Sequence, residues 1–162
     1  MPTSTLILVL LVLTVVAYQL GRARSLRVAG GARGARNLHS LPSHYGLLTA
    51  IWCGLPALIV VIGWQMLDHR IIADRVVASM SADVQALTEG ELSLVLNDVR
   101  NVIAGNVAVD AVSPEVAAAA GLWQRLDSLS RTALAVLTLC IAIAGGWITT
   151  RLITPTMRAR NR

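Results

Sequence analysis

The sequence predicts an all-α membrane protein with three transmembrane helices and a helical external insert. Charge-free runs at Pro2–Gly21, Tyr45–Leu67 and Thr132–Thr150 each approach the roughly 20 apolar residues that a bilayer crossing requires. Only a backbone that satisfies its own hydrogen bonds enters hydrocarbon, so each run is expected to be helical. The charges then set the orientation. All nine acids fall between Asp68 and Asp127, whereas Arg22, Arg24, Arg27, Arg33 and Arg36 crowd one linker and Arg151, Arg158, Arg160 and Arg162 crowd the end. Arginine-rich loops stay in the cytoplasm, which puts 22–44 and 151–162 inside, 68–131 outside and the amino terminus outside. The expected order is transmembrane helix 1 at 1–21, a cytoplasmic arginine-rich loop at 22–44, transmembrane helix 2 at 45–67, the external helical segment at 68–131, transmembrane helix 3 at 132–150 and a basic tail at 151–162.

Composition supports this reading. Hydrophobic residues make up 55% of the chain and charged residues 14%, well outside the usual range of a soluble domain. A net charge of +5 alone would suggest nucleic acid, but the arginines on the expected inner side flank membrane spans, where the orientation rule and anionic headgroups account for them. No nucleic-acid partner is expected; the bilayer is. The two cysteines, Cys53 and Cys140, sit inside spans and read as small packing residues. The first run lacks a positive n-region and is followed by arginines, so it reads as an uncleaved anchor and not as a signal peptide.

Span 1, nearly all Leu, Val and Ile from Leu6 to Tyr18, reads as a lipid-facing anchor with Tyr18 and Gln19 at its edge. The next stretch, Gly21 to Asn37, is expected to be a surface loop because Gly30, Gly31 and Gly34 break helices and its arginines repel one another. Its glycines are not a phosphate loop, since the ordered Gly, Lys and Ser or Thr are missing. His39 and His44 flank Pro42 at a spacing that cannot share a helix face as a metal pair does, so the string reads as a Pro-stiffened elbow where Ser, His and Tyr meet the interface. In span 2, Pro56 removes a donor and crowds the carbonyl of Trp52, while Gly54 and Gly63 permit close approach of another helix.

Beyond span 2, Val76, Val77, Met80, Val84 and Leu87 recur at helical spacing and predict a first amphipathic helix to about Thr88. Thr88 with Glu91 forms a capping-box pattern, opening a second helix with Leu92, Val95, Leu96, Val99 and Ile103 on one face and Gly105-Asn106 as its stop. Ser113-Pro114-Glu115 opens a third helix, which runs through Leu122, Leu126 and Leu129 and on into span 3. In span 3, Gly145 and Gly146 form a small surface suited to helix association.

No enzymatic activity is expected. Glu89 and Glu91, like Asp68 and Asp74, are close in sequence, but acid–base work needs a desolvated pocket, and polar helix faces give solvated carboxylates. His69 is the one other titrating candidate in that segment, and no nucleophile–histidine–acid set has a recognisable spacing. No catalytic residue, cofactor site or metal site is assigned.

Several strings nevertheless resemble a family. The Gly21-Arg22-Ala23-Arg24 turn, Leu38-His39-Ser40-Leu41-Pro42 with Tyr45-Gly46 leading into a span with Trp and Leu-Pro, and the closing Met157-Arg158-Ala159-Arg160-Asn161-Arg162 resemble the amino-terminal region of phosphate ABC transporter permeases of the PstC type. The resemblance implies an extension ahead of a permease core of about six spans, with that core expected beyond the tail. It also implies a bacterial inner-membrane location and three partners: a second phosphate permease subunit, a cytoplasmic ATPase subunit and a periplasmic phosphate-binding protein. No phosphate-contacting residue is carried over. The external arginines Arg70, Arg75, Arg100, Arg125 and Arg131 are outnumbered by the nine acids, so the external segment is expected to contact another subunit through Val95 and Val99 and not to capture phosphate. Two alternatives remain: the sensing region of a bacterial sensor kinase or chemoreceptor, for which Ile153-Thr154-Pro155 would start the helical linker, and a stand-alone membrane assembly factor.

Overall fold

A computed structural model describes residues 3–29 and 41–154. The expectations for His39, for the glycines at 30, 31 and 34, and for the tail from Pro155 lie outside the described residues. The described chain is all-α, with helices α1 (Thr3–Val28), α2 (Pro42–Ala78), α3 (Ala82–Gln85), α4 (Glu89–Ile103) and α5 (Pro114–Leu152), and a short 3-10 turn at Val109–Ala111. Helices α1, α2 and α5 are long and apolar enough to cross a membrane. The chain divides into two compact units, Met1–Gly63 with Ala133–Arg162, and Trp64–Thr132.

In the first unit, small residues set the packing. Helix α2 buries Tyr45, Thr49, Cys53, Ala57 and Val61, every fourth residue, and α1 buries Ala17, Gly21 and Ser25 at the same interval. Rows at this spacing are ridges along which helices interlock, and small side chains let the backbones approach. A β-carbon at Gly21 would lie 2.8 Å from Thr49 Cβ and 2.9 Å from the Tyr45 carbonyl oxygen. One at Gly46 would lie 2.9 Å from the Tyr18 ring, and one at Gly54 2.8 Å from Thr14 Oγ1. On α5, a β-carbon at Gly145 would run into the Trp52 carbonyl. Three hydroxyls of this unit are satisfied within their own helices: Thr14 donates to the Leu10 carbonyl at 2.8 Å, Thr49 to Tyr45 at 2.9 Å and Ser25 to Arg22 at 2.8 Å, whereas the buried Thr138 hydroxyl has no partner. Such back-bonding lets a hydroxyl sit in an apolar interior.

Several expectations are corrected here. Residues 22–28 were expected in a loop but are helical, because Gly21 and Ser25 continue the buried face of α1 while Arg22, Arg24 and Arg27 stay exposed. Arg27 in the last turn also suits the negative end of the helix dipole. The elbow at Pro42 is instead the first residue of α2, where a missing amide proton costs nothing. Tyr45 is fully buried and does not face an interface. Gly63 has open space around it, so the close approaches fall at Gly21, Gly46, Gly54 and Gly145. Of the cysteines, Cys53 packs with Leu10, Ala17, Ala57 and Ala142, whereas Cys140 is exposed.

The second unit has its own apolar core. Ile72, Val76 and Met80 meet Val99 and Val102 of α4 and Ala119, Ala120 and Trp123 of α5. The expected amphipathic helix to Thr88 breaks earlier: α2 ends at Ala78, Ser79 donates to the Val76 carbonyl at 2.6 Å, and α3 is a single turn. Helix α4 begins with the expected capping box, the Thr88 amide donating to Glu91 Oε2 at 3.1 Å and the Glu91 amide to Thr88 Oγ1 at 3.5 Å. It ends at Gly105, whose φ of 76° is the left-handed conformation that glycine takes without penalty. The Gly105 and Asn106 amides donate back to the Val102 and Asn101 carbonyls, a Schellman closure of the helix end. Helix α5 opens as expected, with Ser113 Oγ accepting from the Val116 amide at 3.3 Å and Pro114 as first helical residue.

Candidate functional site

The most chemically differentiated surface of the 64–132 unit is a groove between its α2 and α5 portions. It encloses about 380 Å³ and is lined by Trp64, Leu67, Ile71, Ile72 and Leu126 together with Asp68, Arg75 and Ser130. A hydrogen-bonded chain crosses it: the Trp64 indole donates to Ser130 Oγ at 2.8 Å, and the Ser130 hydroxyl donates to the Asp68 carboxylate through a short bond. These groups are 62 and 66 residues apart in sequence, so the chain fixes the register of α5 on α2 within this unit. A tryptophan that is apolar in body and polar at its edge suits such a position. The groove can seat apolar matter beside one acid and one arginine. It lacks convergent donors and therefore offers no anion cradle.

The acids considered from sequence do not converge. Asp68 is taken up by Ser130, Asp74 is exposed six residues further along α2, and Glu89 and Glu91 lie in the first turn of α4. Glu91 caps its helix, and the bonds from the Thr88 hydroxyl and amide hold its carboxyl below the usual carboxylate range. Glu115 does tertiary work that the sequence does not show. It accepts the Ser81 amide at 2.6 Å across 34 residues, tying the turn after α2 to the first turn of α5, and that bond holds its carboxyl low as well. Both shifts come from hydrogen bonds to the ionised form, which marks structural carboxylates and not poised acids or bases. Among the described residues, no three of His, Cys, Asp and Glu lie close enough to share a metal ion.

The arginines of this unit are likewise spread out. Arg131 pairs with Asp127 at 2.9 Å one turn away, and Arg100 lies over the Trp123 ring at 5.7 Å, a cation–π contact that covers the core. Val95 and Val99, read from sequence as a partner surface, belong to the unit's own core: Val99 is fully buried and Val95 packs against it. The large apolar residues left uncovered in this unit are Met66, Leu67, Ile71, Leu94, Val109 and Leu129. Periodicity identified the buried stripe of α4 but could not tell an internal core from an interface, since both ask for the same residues.

Three apolar helices, joined to a helical unit with an apolar core of its own, define the class: a helical membrane protein. Residues 7–109 match the model of a family described as phosphate ATP-binding cassette transporter. More than half of the 162 residues are covered, and the chain belongs to that family. The matched stretch contains α2, α3 and α4 in full and nearly all of α1, and ends before α5. No curated protein and no solved structure gives a significant match.

Proposed function

We propose that this chain is the amino-terminal membrane segment of a permease subunit of the PstC type in a bacterial inner-membrane phosphate importer, with a role in anchoring and assembly and no chemistry of its own. The family match over 7–109 carries the reading. The three apolar helices agree with it. The partners would be a second permease subunit, a cytoplasmic ATPase and a periplasmic phosphate-binding protein. In this reading the amino terminus and the acidic 64–132 unit face the periplasm, and the arginine-rich 22–44 and 151–162 stretches face the cytoplasm.

The 64–132 unit would contact a partner through the residues its own core leaves exposed. With nine acids against five arginines it carries a formal net charge of −4, which disfavours direct phosphate capture. The test is affinity purification of the full chain from its own membranes. The second permease subunit and the ATPase are expected to co-purify with it, and Leu94→Asp or Leu129→Asp is expected to reduce their recovery. Recovery of neither subunit with the wild-type chain would overturn the proposal.

A further inference from the structure

In the unit formed by Met1–Gly63 and Ala133–Arg162, one small pocket of about 200 Å³ is lined by Arg24 of α1 and by Thr150 and Arg151 of α5. Two arginines therefore edge the same space. No acidic residue occurs anywhere in this unit, because all nine acids lie between Asp68 and Asp127. Like charges brought together without a counter-ion repel one another, and a bound anion removes that cost. Arg151 is also held in place: its guanidinium lies over the Trp147 ring at 5.2 Å. Thr150 donates its own proton to the Trp147 carbonyl at 2.8 Å, so the two arginines remain the pocket's cationic donors.

The same Thr150 also lines a second space, an apolar groove of about 270 Å³ between α1 and α5, lined by Leu13, Val16, Leu20, Ile143, Gly146 and Trp147 and reached by Cys53 of α2. A cationic pocket meeting an apolar groove matches a ligand with an anionic phosphate at one end and a hydrocarbon chain at the other. Guanidinium is the side chain best suited to phosphate oxygens, and both helices are long and apolar enough to cross a membrane. We propose that Arg24 and Arg151 bind the headgroup phosphate of an anionic glycerophospholipid, one acyl chain of which lies in the α1–α5 groove. This goes beyond the transporter reading and stands whether or not that reading holds. Free inorganic phosphate shares the headgroup chemistry but leaves the groove unexplained.

The test is native mass spectrometry of the full chain in neutral detergent, titrated separately with phosphatidylglycerol and phosphatidylcholine, alongside equilibrium dialysis with inorganic phosphate. Wild type is expected to retain phosphatidylglycerol in preference to phosphatidylcholine. The double variant Arg24→Gln/Arg151→Gln is expected to bind phosphatidylglycerol about 30-fold more weakly, from about fivefold per arginine. The charge-matched variant Arg22→Gln/Arg27→Gln, outside the pocket, should leave binding nearly unchanged. Val16→Trp, at an exposed position in the groove, should weaken the lipid through its chain. Equal losses in the two arginine pairs would reduce the effect to bulk charge and overturn the site. Binding of inorganic phosphate that depends on Arg24 and Arg151, without a lipid preference, would overturn the lipid assignment. A groove that cross-links to a protein helix and excludes lipid would overturn it as well.

Discussion

Replacing Val99 with Asp should unfold the 64–132 unit, whereas replacing Leu94 on the same helix should leave it folded. Val99 has no solvent exposure and sits in the core cluster with Ile72, Val76, Met80, Val102, Ala119, Ala120 and Trp123, none of which carries a charge. Removing the valine forfeits about 1.5–3 kcal/mol of burial. The carboxyl that takes its place must be buried neutral and unpaired or must drag water into the core, at a further cost of about 2–4 kcal/mol. The sum, about 3.5–7 kcal/mol, is most of the stability of a unit this size, since whole domains hold only about 5–15 kcal/mol. Leu94 is 65% exposed, so Leu94→Asp should stay within about 0.5 kcal/mol. Amide hydrogen exchange across α4 reads the difference. A loss of about 4 kcal/mol lowers protection roughly 1,000-fold. Wild-type protection in Val99→Asp, or equal loss of protection in Leu94→Asp, would refute the assignment of this face to an internal core.

Other outcomes follow from the same geometry. Gly145→Val should cost about 3 kcal/mol, the upper end of overpacking, because a new β-carbon meets the Trp52 carbonyl, which is backbone and cannot swing away. Gly63→Ala, with open space around it, should be neutral or stabilising, and thermal unfolding in detergent compares the two. Thr88→Ala removes half of the α4 capping box and should cost about 1 kcal/mol, seen as faster exchange in the first turn. Glu91 and Glu115 have folded carboxyls held below the ordinary range, so their contribution is present above the unfolded pKa and is lost as pH falls through the folded value. Acid titration of the Glu91→Gln/Glu115→Gln variant followed by circular dichroism should show a shallower loss on the acid side than wild type does.

The local signals of this fold were legible because each is written within a few residues. Thr88 with Glu91, Gly105 with Asn106, and Ser113 with Pro114 are short patterns whose chemistry fixes a helix end, and each falls where the sequence places it. The first helix was misread at its end because glycines and repelling arginines suggested a loop. The stronger signal was the four-residue spacing of Ala17, Gly21 and Ser25, which matches Gly46, Ala50 and Gly54 on α2. Long-range pairings could not be read. Nothing near Glu115 announces that it accepts the amide of Ser81, and nothing in Trp64, Asp68 and Ser130 taken separately announces a shared hydrogen-bonded chain. Val95 and Val99 show the limit most clearly, since an apolar stripe fits an internal core and a partner interface equally well until the neighbouring helices are located.

The most direct test of the proposed role is uptake of radiolabelled inorganic phosphate in phosphate-starved cells lacking the chain. Removal of the chain should depress high-affinity uptake, the wild-type gene should restore it, and Val99→Asp should fail to do so. Uptake that is unchanged without the chain, in cells whose other phosphate importers have been removed, would contradict its place in a phosphate import system.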